Sequence, residues 1–193
     1  MTRGLEGVRL REAEPADWEA IAALQVASWR FAYRGILTDA YLDDELEAER
    51  TALWRRRFAG SVDPNQITVL AEGADSRPGA EPLAFCCILA GSDPRWGSLV
   101  DNLHVHPDAL RLRLGRRVFR EAARLLVGGA HEATPLHLTV LEENERAKAA
   151  YERWQGRLVE HPTKRQPDGR VYQLRRYAWD GPAALIARLD GLG

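Results

Sequence analysis

Asn144 and Tyr151 stand seven residues apart in the run HLTVLEENERAKAAYERWQG, from His137 to Gly156. The run opens with strand-like alternation. It then turns through acidic residues into a helix that Asn144 can cap. Ala147, Ala150, Tyr151 and Trp154 form one helical face, and Gly156 closes it. Seven residues are two helical turns, so Asn144 and Tyr151 share about the same side. That places a phenol, with a pKa of about 10, on the face below the cap. On spacing alone, a core aromatic explains Tyr151 and plain capping explains Asn144.

A second constellation is LVDNLHVHPDALRLRLGRRVFREAARLLV, from Leu99 to Val127. Leu103 and Val105 alternate with polar Asn102 and His104 as in a half-buried strand, which Pro107 ends. After a short basic loop, Leu114, Val118, Ala122 and Leu125 recur at helical spacing. A strand entering a helix this way leaves the first helical N–H groups free at the loop. With the positive end of the helix dipole they make an anion site, most naturally for phosphate. Arg111, Arg113 and Arg116 lie nearest to it and add charge. Arg113, Arg116, Arg117, Arg120 and Arg124 form a basic stripe along this helix. A solvated, salt-bridged face explains its distal members, and a nucleic-acid contact is the competing reading.

On the strand, Asp101 shares the face of Leu103 and Val105, and His104 shares that of Asn102. If the apolar set points into the core, His104 points toward a cleft, barring a bulge. A hydrogen-bonded strand histidine explains it as well. His104 and His106 share a face without a third ligand, so no metal site is indicated. Cys86 and Cys87 are adjacent in PLAFCCILAG, point to opposite faces of a strand, and read as small buried hydrophobes.

The elements that position these residues follow from periodicity and punctuation. Val8 to Arg11 reads as a strand. A helix runs from the Pro15–Asp17 start signals to about Tyr33 and stops at Gly35. YRGILTDAYLDDELEAERTALWRRRF reads as a loop and a second helix, whose polar face carries Glu47, Arg50 and Arg57. Gln66 to Glu72 and Leu83 to Ala90 are strands around the polar loop GADSRPGAEP. Leu99 to His106 is a strand, Arg113 to Val127 a helix ended by Gly128 and Gly129, and Leu136 to Leu141 a strand. After the Asn144 helix, strands over about Arg157 to His161 and Arg170 to Trp179 flank the turn TKRQPDG. The resulting order, β-α-α-β-β-β-α-β-α-β-β, argues for a layered α/β or α+β sheet protein. Residues 1–180 read as one domain. The tail, 181–193, can form a short amphipathic helix through Leu185 and Leu189.

Composition narrows the setting. The 193 residues, 45% of them hydrophobic, suffice for one self-standing core. A formal net charge of -1 gives no global attraction to nucleic acid or acidic membranes. No signal-peptide core and no membrane-spanning apolar run is present, and the two cysteines do not staple loops. A soluble protein of the cytoplasm is the expectation.

The run L-x-V-x-P, a short loop and Gly115 opening a helix resemble the acetyl-CoA signature of the GNAT superfamily of N-acetyltransferases. The element order from about Val8 to Trp179 resembles that family too, as does SWRFAYRGILTDAYL, a segment of the acceptor wall in one subgroup. The resemblance implies a mixed, mostly antiparallel sheet of six to seven strands flanked by about four helices. It implies acetyl-CoA as the acetyl donor, no metal, an amine of a small molecule or peptide as acceptor, and often a homodimer. The family loop reads Gln/Arg-x-x-Gly-x-Gly/Ala. Here Leu110 and Arg113 occupy its first two named slots, and Gly115 fits the last. A non-glycine held left-handed costs roughly 1–2 kcal/mol, whereas ordinary helical amides carry no such cost.

The resemblance further implies that the amides of Leu110, Arg111, Leu112, Arg113, Leu114, Gly115 and Arg116 cradle the CoA pyrophosphate. The backbone around Leu103, His104 and Val105 would pair with the pantetheine arm and polarise the thioester. Asn144 would hold the CoA arm, and the Tyr151 hydroxyl would protonate the departing thiolate. A phenol of pKa about 10 and a thiol of about 8.5 make full transfer uphill by about 2 kcal/mol, which a hydrogen bond to the forming thiolate offsets. The amine must be neutral to attack, so a base or water chain is needed, with His104 first and Asp101 second. The alternative is a GNAT-fold regulatory or binding module that no longer holds CoA well.

Overall fold

The computed structural model describes residues 7–60, 62–73 and 81–192. In chain order the strands are β1 (Val8–Glu12), β2 (Gln66–Gly73), β3 (Ala84–Asp93), β4 (Gly97–Val105), β5 (Leu136–Leu141), β6 (Arg157–Glu160), β7 (Thr163–Arg165) and β8 (Val171–Trp179). The helices are α1 (Trp18–Ala32), α2 (Leu46–Phe58), α3 (Leu114–Arg124), α4 (Glu145–Arg153) and α5 (Pro182–Asp190). These strands form one sheet in the order β1-β2-β3-β4-β5-β8-β6, with β7 added on β8. Every pairing is antiparallel except β4 with β5.

Two layers cover the sheet because its strands alternate. Val69, Ala71, Cys86, Ile88 and Leu138 pack against Leu114, Val118, Phe119 and Ala122 of α3, Tyr151 of α4, and Leu185 and Leu189 of α5. On the other face, Leu70, Phe85 and Cys87 meet Ile21 and Leu24 of α1 and Trp54 and Phe58 of α2. Cys86 and Cys87 are therefore buried on opposite faces, as adjacent strand residues must be. No helix among the described residues is long and apolar enough to cross a membrane.

The structure departs from the sequence expectations at particular places. TKRQPDG is not only a turn: Thr163–Arg165 pairs with Gln173–Val171 and adds a strand. The tail helix forms as α5, tied down by Arg120 to Asp190 at 2.5 Å and 2.9 Å. The α3 helix ends at Arg124, short of its glycines, because Leu126 and Val127 bond back three residues to Ala123 and Arg124. A π-helical turn, Tyr41–Glu45, precedes α2. Most of the polar loop GADSRPGAEP lies outside the described residues.

At the end of α4, Gln155 rather than a glycine takes the left-handed position, with φ of 57°. Gly156 N–H bonds to Tyr151 C=O and Gln155 N–H to Glu152 C=O, both at 2.9 Å, which makes a Schellman cap. Gly156 is needed for a different reason. A Cβ there would lie 2.8 Å from the Trp179 ring and 3.0 Å from Tyr151 O.

Candidate active site

The parallel pair β4–β5 holds together only at its start, where Ser98 faces Leu136 and Leu99 faces His137. Beyond Leu99 the two strands part. Among the described residues, the rest of β4, to Val105, has no strand neighbour on that side. A backbone edge left open inside a sheet can pair with an extended ligand. A cavity of about 1250 Å³ fills the fork. Val100 to Val105 line one side and Leu138 to Leu141 the other, with α1, α2, the start of α3 and α4 around them.

A bulge shapes the β4 wall. Cys87 faces Asn102 but Ile88 faces Val100, so Asp101 is an extra residue on β4. The bulge switches the alternation. Val100 packs on the α3 side, and beyond the bulge Leu103 takes that side. Asn102 and His104 turn toward α1. Asp101 consequently leaves the face of Leu103 and Val105 that strict alternation assigns to it. Its carboxylate accepts from Arg57 of α2 at 2.7 Å and from Asn102 Nδ2 at 2.5 Å. Buried Asn102 also accepts from Gln25 at 2.7 Å, and Gln25 accepts from Trp54 at 2.6 Å. This chain of bonds fixes Asp101 as part of the wall beneath the cavity.

His104 lies on the cavity wall, with Nδ1 3.1 Å from Ser28 Oγ and its ring against Phe85. Burial first, and then the charge of Arg50, hold its pKa down to about 4 against the pull of Asp101. The imidazole is neutral at pH 7 and can accept a hydrogen bond from an incoming N–H.

The loop before α3 keeps the shape that a glycine would permit. Pro107–Leu112 forms a 3-10 segment, with His106 Nδ1 accepting from Asp108 N–H at 3.2 Å. Arg113 then adopts φ 52° and ψ 25°, the left-handed conformation, as the N-cap of α3. Leu110, Arg113, Leu114, Gly115 and Arg116 border the cavity, so the free N–H groups of α3 open on it. Arg111 and Leu112 do not border it. Four arginines of the stripe are engaged by other residues of the chain. Arg116 bonds to the Leu192 carbonyl, Arg117 to that of Val8, Arg120 to Asp190 and Arg124 to Glu121.

Asn144 caps α4 by accepting from Ala147 N–H at 3.2 Å, and its side chain lies near the Tyr33 hydroxyl. Tyr151 lies two turns on. Trp154, Tyr177 and Trp179 fix its ring, with centroids at 5.8, 5.8 and 6.4 Å. Tyr41, Tyr172 and Tyr177 donate to Glu49, Asp168 and Glu152. Tyr151 has no hydrogen-bond partner for its hydroxyl among the described residues, and it borders the cavity together with Tyr33. Burial, and next the neighbouring Tyr33, push its pKa well above the usual value, so it keeps its proton at neutral pH.

The wall opposite comes from parts that periodicity does not connect. The α1–α2 connection and the β7–β8 hairpin are tied together. Asp168 accepts from Thr38 N–H at 3.2 Å, and the Tyr172 hydroxyl donates to Ile36 O at 3.1 Å. Arg50 and Arg57, read from the sequence as part of a polar helix face, border the cavity. Their sequence signal is only a seven-residue spacing that puts them on one side of α2. Among the described residues no group of three His, Cys, Asp or Glu side chains could hold a metal ion.

Comparison with known proteins agrees with this architecture. No curated protein sequence matches the chain. An N-acetyltransferase from Rhodopseudomonas palustris superposes with a TM-score of 0.66 at 21% identity, over 93% of this chain and 99% of that one. The PaiA N-acetyltransferase of Thermoplasma acidophilum, solved with coenzyme A, gives 0.63 at 13% identity, over 89% and 99%. A mutant spermidine N-acetyltransferase SpeG from Vibrio cholerae gives 0.63 at 16% identity, over 94% and 98%. At these identities the likeness is one of fold. The sequence profile of the acetyltransferase (GNAT) family matches residues 18–156, nearly three quarters of the chain, and the chain therefore belongs to the GNAT acetyltransferase family.

Proposed function

We propose that this protein transfers an acetyl group directly from acetyl-CoA to a primary amine, with Tyr151 as general acid. The observation that carries the reading is the unpartnered Tyr151 hydroxyl, held in a buried aromatic cluster at the edge of the β4–β5 fork. A tyrosine kept only for packing needs no hydroxyl. The chain's residues suit the donor on independent grounds. The free β4 edge from Val100 to Val105 suits an extended amide-bearing arm, and the N-terminus of α3 suits its phosphates. Arg113 keeps the left-handed turn despite its side chain, which favours this reading over a module that has lost CoA.

The bound donor supplies an activated acyl group as a thioester. In the transfer, the amine nitrogen bonds to the acetyl carbon and the carbon–sulfur bond breaks. Tyr151 donates its proton to the departing sulfur. Phenol and thiol differ by about 1.5 pH units in solution, and a hydrogen bond from Tyr151 to the forming thiolate offsets that difference. On the other side, neutral His104 accepts a hydrogen bond from the amine as its surplus proton leaves toward solvent. With a pKa of about 4, His104 orients the amine rather than storing the proton. Asp101, bound to Arg57 and Asn102, sets the shape and charge of the wall. A fold relative that acts on spermidine makes a primary amine a natural acceptor. The two buried, unbridged cysteines suit a reducing cytoplasm.

The test is thiol release from acetyl-CoA over a panel of primary amines, with the acetylated amine identified by mass spectrometry. Equimolar thiol and acetamide support the reading. Thiol release without any acetylated amine contradicts it.

A further inference from the structure

The half of the cavity opposite α3 combines basic groups with an apolar lining. Arg50 and Arg57 reach it from α2, and Lys164 and Arg165 from the β7–β8 hairpin. Two of the carboxylates that border the cavity are engaged. Asp101 accepts from Arg57 at 2.7 Å, and Glu49 accepts from Tyr41 at 2.5 Å and from Arg50. Over its whole lining the cavity carries eight Lys and Arg side chains against four carboxylates, Glu49, Asp101, Glu143 and Glu145, a cationic excess that disfavours a polyamine and favours an anion.

Arg50 is the cation whose charge acts on His104, on the wall where the amine is received. Its guanidinium lies 5.0 Å from the Trp29 ring, and its side chain is only 12% exposed. Among the described residues Glu49 is its one hydrogen-bond acceptor, and buried Nε has none. Such under-satisfaction is uncommon for a buried arginine, whose fork offers five donors. Trp29 lies against it, and Leu37 and Leu53 add apolar surface to the same cavity. An amine with a carboxylate on the adjacent carbon would put its nitrogen at His104 and its anion at Arg50.

Building on the acetyltransferase reading, we propose that the acceptor is an apolar α-amino acid whose carboxylate is bound by Arg50 and whose side chain lies against Trp29, Leu37 and Leu53. The transfer itself is unchanged: the α-nitrogen gains the acetyl carbon, the sulfur leaves with a proton, and the carboxylate takes no covalent part.

The test uses the full-length protein and matched pairs of acceptors. These are L-leucine with isoamylamine, L-methionine with 3-(methylthio)propylamine, L-phenylalanine with phenethylamine, and L-tryptophan with tryptamine, with spermidine alongside. Acetyl-CoA affinity is measured separately by calorimetry. The expected result is turnover of at least one amino acid at a kcat/KM about 100-fold above its decarboxylated partner. Arg50→Gln should erase most of that ratio through KM, leave acetyl-CoA affinity unchanged, and be partly rescued by Arg50→Lys. The proposal is overturned if spermidine or the decarboxylated amines are preferred. It is also overturned if the ratio survives in Arg50→Gln, or if acetyl-CoA binds and no amino acid is acetylated. Absence of acetyl-CoA binding instead overturns the acetyltransferase reading itself. The wild-type pairs decide the matter even if the Arg50 variants fail to fold.

Discussion

Replacing Tyr151 by Phe separates chemistry from packing at one atom. The ring stays among Trp154, Tyr177 and Trp179, so the aromatic contacts survive. The lost hydroxyl leaves no partner unsatisfied among the described residues, and the change in folding stability should stay within about 0.5 kcal/mol. Tyr177→Phe is the control, because its hydroxyl donates to Glu152 at 2.7 Å. Losing that bond should cost about 1 kcal/mol. The catalytic effects should run the other way. Removing a positioned general acid lowers kcat by about 100- to 10,000-fold, whereas Tyr177→Phe should leave kcat within a few-fold. Acetyl-CoA affinity should change little in either variant. A pH series adds a signature that packing cannot imitate. Above about pH 8.5 a thiolate is stable without a proton, so the deficit of Tyr151→Phe should narrow there. The assay is steady-state thiol release from pH 6.5 to 9.5, beside urea denaturation of all three proteins. Equal losses of kcat and acetyl-CoA affinity in Tyr151→Phe, or a stability loss matching that of Tyr177→Phe, would refute the general-acid role.

Three further outcomes follow from the same structure. Gly156→Ala should destabilise the protein by about 1–3 kcal/mol in denaturant titration, because the new methyl group meets Trp179 and the Tyr151 carbonyl. It should also lower kcat by shifting the cluster that holds Tyr151. Arg113→Gly should be more stable than Arg113→Ala by about 1 kcal/mol, since only the alanine bears the strain of φ 52°. Equal stabilities would contradict the left-handed turn. Burial holds His104 and His137 each down to about 4, while unfolded histidines titrate near 6.5. Between those values the unfolded chain binds protons that the fold refuses, so stability should fall as pH drops from about 6.5 to 4 and then level off in this contribution. A flat pH dependence across that window would contradict the buried, neutral state of both rings.

The layered fold was readable because each element carries its own period and stop signal. Asn144 is the clearest case: a capping residue type at the head of an apolar stripe caps that helix. Seven-residue spacing put Tyr151 on the side of Asn144, and both residues border the cavity. Where the sequence misleads, a long-range constraint outweighs the local signal. Asp101 reads as one more alternating residue, and only the register against β3 reveals it as a bulge. Gly156 reads as a helix stop, yet the left-handed residue is Gln155 and the glycine makes room for Trp179, 23 residues on. Thr163–Arg165 has no apolar period, because it is an exposed strand held by backbone bonds to β8. Arg50 and Arg57 looked like solvated charges. Their helix packs so that both reach the cavity, and nothing local in α2 announces this.

The central claim is that the β4–β5 fork and the N-terminus of α3 together hold acetyl-CoA. Calorimetric titration of the purified protein with acetyl-CoA tests it most directly, beside the Arg113→Gly variant. The account predicts one site per chain with micromolar affinity, retained in Arg113→Gly because the turn and its amides keep their shape. No heat of binding with either protein, at concentrations where micromolar affinity is measurable, would contradict it.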